Sequence, residues 1–344
     1  METVIETYLA LGEELANALN DFIEQPVIPT ASMKINAQIL PQGRYTERAP
    51  RGAAKVKKVA PVIAVDALGD GETKFVRPNG DYYFARSWGE HQDVATLRKA
   101  REVTAIAMGG RGGASMFTLL YGAPGCGKTA LVEAAFNGEL ETVIGTGDTE
   151  LSDFIGGYIQ TPAGGFEWVD GPLLRAAEEG KVLFIDEVGL IDPKQLAGVY
   201  GAMDGRGEIV VTANPERGTV KIHPNFYVVA ATNPNAPGVR LSEALLSRFT
   251  VQAEMSTDWG LARTLGVPTT VVTVAQNLSK KQASGECSWS PQFRELLAFR
   301  DIANTFGNSF AIANLLAASP EIDRPIVADV LSRAFGEECK PARI

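Results

Sequence analysis

A chain of 344 residues, 45% hydrophobic and 21% charged, is long enough for about two or three domains with cores of their own. Its formal net charge of -9 argues against general affinity for a nucleic-acid backbone, which rests on clustered Lys and Arg. Cys126, Cys287 and Cys339 lack paired spacing and read as reduced thiols, and with His91 and His223 as the only histidines a zinc site is not expected.

In chain order, Val4, Tyr8, Leu11, Leu15, Leu19 and Phe22 recur at helical spacing, so residues 3–24 read as an amphipathic helix ended by Pro26 and Pro29. The start, Met1-Glu-Thr-Val-Ile-Glu, lacks the basic opening of a signal peptide. No apolar run is long enough to span a bilayer, so a cytoplasmic protein without membrane contact is expected. Residues 41–58, with the basic run Arg51-Gly-Ala-Ala-Lys-Val-Lys-Lys58, read as an exposed linker or arm. A solvated charge run is favoured there over a contact to nucleic acid or an acidic neighbour. Short strands follow at Val62-Ile-Ala-Val65, Thr73-Lys-Phe-Val76 and Asp81-Tyr-Tyr-Phe-Ala85, the last two flanking the hairpin signal Asn79-Gly80. Tyr82, Tyr83 and Phe84 read as core and cross-strand packing, and a helix runs from His91 to about Met108.

The densest chemistry is Gly122-Ala-Pro-Gly-Cys-Gly-Lys128-Thr129, directly after the apolar run Phe117-Thr-Leu-Leu-Tyr121 and before the helix-favouring Ala130-Leu-Val-Glu-Ala-Ala135. Strand, glycine loop and helix start together make a phosphate loop. Gly122, Pro124, Gly125, Cys126, Gly127 and Ala130 shape a backbone whose N–H groups close on a β-phosphate, helped by the helix dipole. Lys128 would reach the β- and γ-phosphates and Thr129 would hold Mg²⁺. Further strands are expected at Glu141-Thr-Val-Ile-Gly145, Lys181-Val-Leu-Phe-Ile-Asp186-Glu187, Phe226-Tyr-Val-Val-Ala-Ala231 and Thr250-Val-Gln-Ala-Glu254. The second of these ends in two acids about sixty residues after the loop: Asp186, placed to bind Mg²⁺ through water, and Glu187, placed to polarise an attacking water. Asn233, after the next strand, is a candidate for the γ-phosphate or its water, although Asn-Pro is also a common turn. Arg248 ends a short helical segment, where a surface role at a helix C-terminus is the plainer alternative.

These residues together resemble the AAA+ ATPases of the MoxR-like group, near the CbbQ, NorQ and GvpN proteins. Gly122–Thr129 corresponds to Walker A, Leu183-Phe-Ile-Asp-Glu187 to Walker B, Ala231-Thr-Asn233-Pro to sensor 1 and Glu243-Ala-Leu-Leu-Ser-Arg248-Phe to the arginine-finger segment. Asp153-Phe-Ile-Gly-Gly157 and Asp170-Gly-Pro-Leu-Leu-Arg175 resemble the stretch before Walker B. The hairpins at 157–168 and 208–222 resemble the helix-2 and pre-sensor-1 inserts, with Trp168 read as packing and Phe166 left open between packing and contact. Ser290-Pro-Gln-Phe-Arg294 resembles sensor 2, making Arg294 the candidate lid arginine, with Arg300 a second choice.

The resemblance, which covers the chain from about residue 90 to its end, implies an α/β fold: a P-loop AAA+ core with a five-stranded parallel sheet and a C-terminal helical lid; the helix and short strands before residue 90 read as a small N-terminal α+β accessory region. The boundaries expected are 1–90 for the accessory region, 91–255 for the core and 256–344 for the lid. It further implies ATP and Mg²⁺, a homo-oligomeric ring, usually a hexamer, with Arg248 acting on a neighbouring subunit's nucleotide, and a protein client reached through a von Willebrand factor A-domain partner. Two alternatives stand beside it: a nucleic-acid-directed AAA+ motor gripping a strand with the basic arm, and a nucleotide-gated assembly protein with little turnover.

Overall fold

The computed structural model describes residues 73–111 and 114–342. The amphipathic helix expected at 3–24, the basic arm at 41–58 and the strand at 62–65 lie outside the described residues.

The described chain opens with two small antiparallel ladders. β1 (Lys74–Val76) pairs with β2 (Tyr82–Phe84) across the Asn79-Gly80 turn, with Phe75 opposite Tyr83 and both buried. Tyr82 instead faces out, with the Lys74 ammonium 3.6 Å from its ring centre. The second ladder, β3 (Ser87–Trp88) with β4 (His91–Gln92), is a pairing the sequence did not suggest. α1 (Asp93–Ile106) follows, burying Val94, Leu97 and Ala100, and ends in a π-helical turn at Ala107–Arg111.

Five parallel strands then form the central sheet. β5 (Thr118–Tyr121) leads through the glycine loop into α2 (Lys128–Ala135) and on to β6 (Leu140–Ile144). α3 (Leu151–Ile155), the hairpin β7 (Gly156–Gln160) and β8 (Phe166–Asp170), and α4 (Pro172–Glu179) lie between β6 and β9 (Val182–Asp186). α5 (Pro193–Met203) and the hairpin β10 (Glu208–Val210) and β11 (Thr219–Lys221) precede β12 (Tyr227–Thr232). α6 (Glu243–Leu246) leads to β13 (Val251–Glu254). The order is β13-β5-β12-β9-β6, with every neighbouring pair parallel. The middle strand and its neighbour β9 are the most deeply buried: all six residues of β12 are buried, as are Val182 to Ile185 of β9. A sheet strand covered on both faces has no polar side to show, which is why these runs lack alternation.

Parallel pairing has a direct consequence for chemistry, because all five carboxyl ends open on one edge. In register, Tyr121 lies opposite Thr232 and Glu254, and Asp186 opposite Ile144. The glycine loop, the acid pair and Asn233 therefore leave the sheet side by side.

The remaining helices are α7 (Trp259–Thr264), α8 (Thr269–Ala283), α9 (Phe293–Phe306), α10 (Asn308–Ala318) and α11 (Arg324–Phe335). They bury a second apolar cluster, with Val271, Val272 and Leu278 of α8 against Leu296 and Phe299 of α9, Leu315 and Leu316 of α10 and Leu331 of α11. Two N-terminal caps fix how these helices begin. Asp258 accepts from Leu261 N–H at 2.8 Å, and Gln292 with Glu295 forms a reciprocal capping box, each cap contributing about 1 kcal/mol. Leu296, the fourth residue of α9, is thereby held towards this cluster while Phe293 and Arg294 start the helix beside the glycine loop, where Arg294 N–H donates to Gly125 O at 3.2 Å.

Candidate active site

The loop between β5 and α2 keeps its shape through glycines at positions other residues would block. A Cβ on Gly122 would stand 2.1 Å from the Met255 carbonyl oxygen, so the loop crosses the end of β13 only because this residue has no side chain. Gly127 sits at φ 103, in the left-handed region, and turns the chain into α2.

Lys128 is buried at 6% exposure, and its ammonium donates to Gly122 O at 2.9 Å and Ala123 O at 3.1 Å. A buried cation bonded to two carbonyls of its own loop is positioned but not neutralised, which is the arrangement a polyanion would complete. Thr129 Oγ1 donates to Asp186 Oδ2 at 2.9 Å, joining the first turn of α2 to the end of β9. The other oxygen of Asp186 accepts from Glu187 N–H at 3.0 Å. Glu187 adopts φ 50, ψ 40, the sole positive φ of a non-glycine among the described residues, and this turns it out of the strand direction.

A cleft of 670 Å³ lies over this edge, within the usual size range of small-molecule sites. Its walls include Pro124, Gly125, Gly127, Lys128, Thr129, Ala130, Asp186, Glu187 and Arg294, so most of the sequence candidates meet in one place. Gly122 and Cys126 support the loop from behind, Cys126 fully buried. Arg294 reaches the cleft from the second helical cluster and is exposed; Arg300, also on the wall, donates to Leu265 O at 2.8 Å and to Asp301.

Asn233 and Arg248 are not on the walls of this cleft. Asn233 follows β12 and its Oδ1 accepts from Asn235 N–H at 3.2 Å, the turn geometry that Asn-Pro favours. Arg248 is gripped within its own chain. Nε and Nη2 donate to the two oxygens of Asp204 at 3.1 and 3.2 Å, Nη1 donates to Ala244 O, and the guanidinium lies 4.4 Å from the Tyr200 ring centre. Burial pushes the Tyr200 phenol above its ordinary value, with the Arg248 charge pulling the other way.

The accessory ladders contribute a wall that sequence reasoning did not assign. Arg86, between β2 and β3, reaches the glycine loop and donates to Cys126 O at 2.9 Å. Its backbone is set by Asp93, a buried carboxylate at the start of α1 that also accepts from the Tyr83 hydroxyl. Burial pushes both the Asp93 carboxyl and the Tyr83 phenol above their ordinary values. No signal local to Arg86 could have found it, because its partners are far away in sequence.

For a divalent cation, the oxygens at hand are those of Thr129 and Asp186, and no larger cluster of His, Cys, Asp and Glu occurs among the described residues. That donor set fits Mg²⁺, which takes one or two protein oxygens and leaves the rest to phosphate and water, and does not fit zinc or calcium cages.

Comparison with known proteins bears on the fold that carries this edge. Residues 118–249 match the model of the AAA domain (dynein-related subfamily), less than half of the chain. The five-stranded parallel sheet with its helices is the α/β AAA fold. Among curated proteins, the chain is 34% identical over 142 residues to Midasin of Dictyostelium discoideum, covering 38% of this chain and 2% of that one. It is 36% identical to an uncharacterized protein of Staphylococcus haemolyticus and 35% identical to one of Staphylococcus epidermidis. Both alignments cover 39% of this chain and 53% of theirs. The chain thus spans about half the length of these staphylococcal relatives and a small part of Midasin.

Proposed function

We propose that this chain is a Mg²⁺-dependent ATPase of the MoxR-like kind, which works in a ring of copies and couples hydrolysis to remodelling of a protein client through a von Willebrand factor A-domain partner. The observation that carries the chemistry is the Thr129–Asp186 hydrogen bond at the mouth of the glycine loop, with Glu187 turned out beside it. Thr129 and Asp186 would hold Mg²⁺, which when bound neutralises charge that develops on the phosphates. Lys128 would exchange the Gly122 and Ala123 carbonyls for phosphate oxygens. The Glu187 carboxylate would orient a water and accept its proton, and loop amides would hold the β-phosphate, so rate comes from positioning and electrostatics. Arg248 supports the ring: it stands away from its own chain's cleft at the end of α6, free to serve a neighbour once Asp204 releases it.

Glu187→Gln tests this reading. The variant should bind ATP as the unsubstituted chain does while turnover falls by about 10²–10⁴-fold. Unchanged hydrolysis would remove Glu187 from its role.

A further inference from the structure

We propose that Arg86 is a positioning residue for the nucleotide, which sets the Cys126–Gly127 peptide of the glycine loop and ties it to the hinge of the helical lid. The proposal rests on the ATPase reading of the cleft and assigns a residue to it.

Arg86 is fixed at its root. Its N–H donates to Asp93 Oδ1 at 3.0 Å, and its carbonyl accepts from Asp93 N–H at 3.0 Å, so one residue grips the backbone from both sides. Asp93 is itself 4% exposed and held by the Tyr83 hydroxyl. From that root the side chain crosses to three other segments. Nη1 donates to Cys126 O at 2.9 Å and to Ser256 O at 3.3 Å. The guanidinium lies 5.1 Å from the Phe293 ring centre and 5.7 Å from that of Tyr83. Nη2 is 2.8 Å from where a Cβ on Gly127 would stand, and Nε is buried with no partner.

The chemistry of the 126–127 peptide gives this contact its meaning. In a planar trans peptide the C=O and N–H point in opposite directions. A cation on Cys126 O therefore fixes the aim of Gly127 N–H and, by polarising the amide, makes it a better donor. Gly127 N–H is one of the amides that a glycine loop turns upon phosphate. Ser256 lies between β13 and α7, where the chain leaves the sheet for the helical cluster, and Phe293 begins α9 beside Arg294. A single guanidinium thus fixes the loop, the hinge and the first residue of the helix that faces the cleft.

The test is equilibrium binding of a fluorescent ATP analogue together with steady-state hydrolysis, on the full chain. Arg86→Met keeps an unbranched stem and removes the donors and the charge. Arg86→Lys keeps a cationic donor. We expect Arg86→Met to raise Kd and KM about tenfold, the effect of one charge-assisted hydrogen bond, with kcat at saturation within about threefold. Arg86→Lys should stay within about threefold of the unsubstituted chain in KM. Unchanged Kd and KM in Arg86→Met, or a loss confined to kcat, would overturn the assignment. Should Arg86→Met melt early, Arg86→Lys decides: a tenfold loss of binding in a chain that melts normally also overturns it. Failure of the unsubstituted chain to bind the analogue would sink the ATPase reading itself, a result distinct from these.

Discussion

Tyr83, on the wall of the cleft, and Asp93 behind it show how a buried polar pair can organise the site it borders. The carboxylate accepts three hydrogen bonds, from the Tyr83 hydroxyl, Arg86 N–H and Val94 N–H, which offset part of the cost of its removal from water. Tyr83→Phe removes one of the three and leaves a buried oxygen short of a partner. We expect a cost of about 1–3 kcal/mol, seen as a lower urea midpoint with the slope unchanged. An unmoved midpoint would mean the hydroxyl contributes nothing. The residues nearest the chemistry follow a different logic, since Lys128, Thr129, Asp186 and Glu187 each take their place from the strand or loop next to them. That is why they were legible in sequence: a glycine loop between an apolar run and a helix start, and two acids closing a second apolar run, are local patterns. Arg86 was not legible, because it joins partners 40 and 170 positions away, and no spacing rule reaches across folds of that length. The grip of Asp204 on Arg248, 44 positions apart, was hidden for the same reason.

At the scale of elements, the sheet was readable because strands buried on both faces are uninterrupted apolar runs, and the Asn79-Gly80 turn marked a hairpin. The β3–β4 ladder was not, because two-residue strands carry no periodicity. Nor could sequence show that the two insert hairpins are joined. In the β7–β8 hairpin, the Tyr158 and Trp168 rings meet edge-on at 5.3 Å, and Trp168 Nε1 donates to Asp170 at 2.6 Å. Asp170 in turn accepts from Arg217 Nε, in the loop of the β10–β11 hairpin, at 2.9 Å, and Arg217 also bonds Glu178 of α4. Trp168 is therefore packed, as the sequence favoured, whereas Phe166 is 73% exposed at the far end of the same strand. Arg217→Ala should release both hairpins at once, raising amide exchange across 156–170 and across 208–221 by an amount equivalent to about 1–3 kcal/mol, with ATP binding unchanged. Faster exchange in one hairpin alone would show that the joint does not couple them.

For the whole molecule, the separation of Arg248 from its own cleft divides two kinds of ATPase. In a ring built from heterologous contacts, each site borrows a cation from the next copy; in a self-sufficient chain, Arg248 would stay on Asp204 and Tyr200 and matter only for stability. Two inactive variants can separate these cases. Glu187→Gln lacks the water-orienting carboxylate but keeps the arginine, and Arg248→Ala keeps the carboxylate but lacks the arginine. Each alone should bind ATP and turn it over at least about 10²-fold more slowly than the unsubstituted chain. Mixed in equal amounts under conditions that let copies exchange, they should regain activity, because some Arg248→Ala sites will then face a Glu187→Gln neighbour. Random mixing puts a complete pair at about a quarter of interfaces, so recovery should approach about a quarter of the unsubstituted rate. The same recovery should vanish on dilution below the concentration at which the copies associate. A mixture no more active than its parts, at concentrations where sedimentation shows the copies associated, would place Arg248 with its own subunit and remove its role on a neighbour's nucleotide.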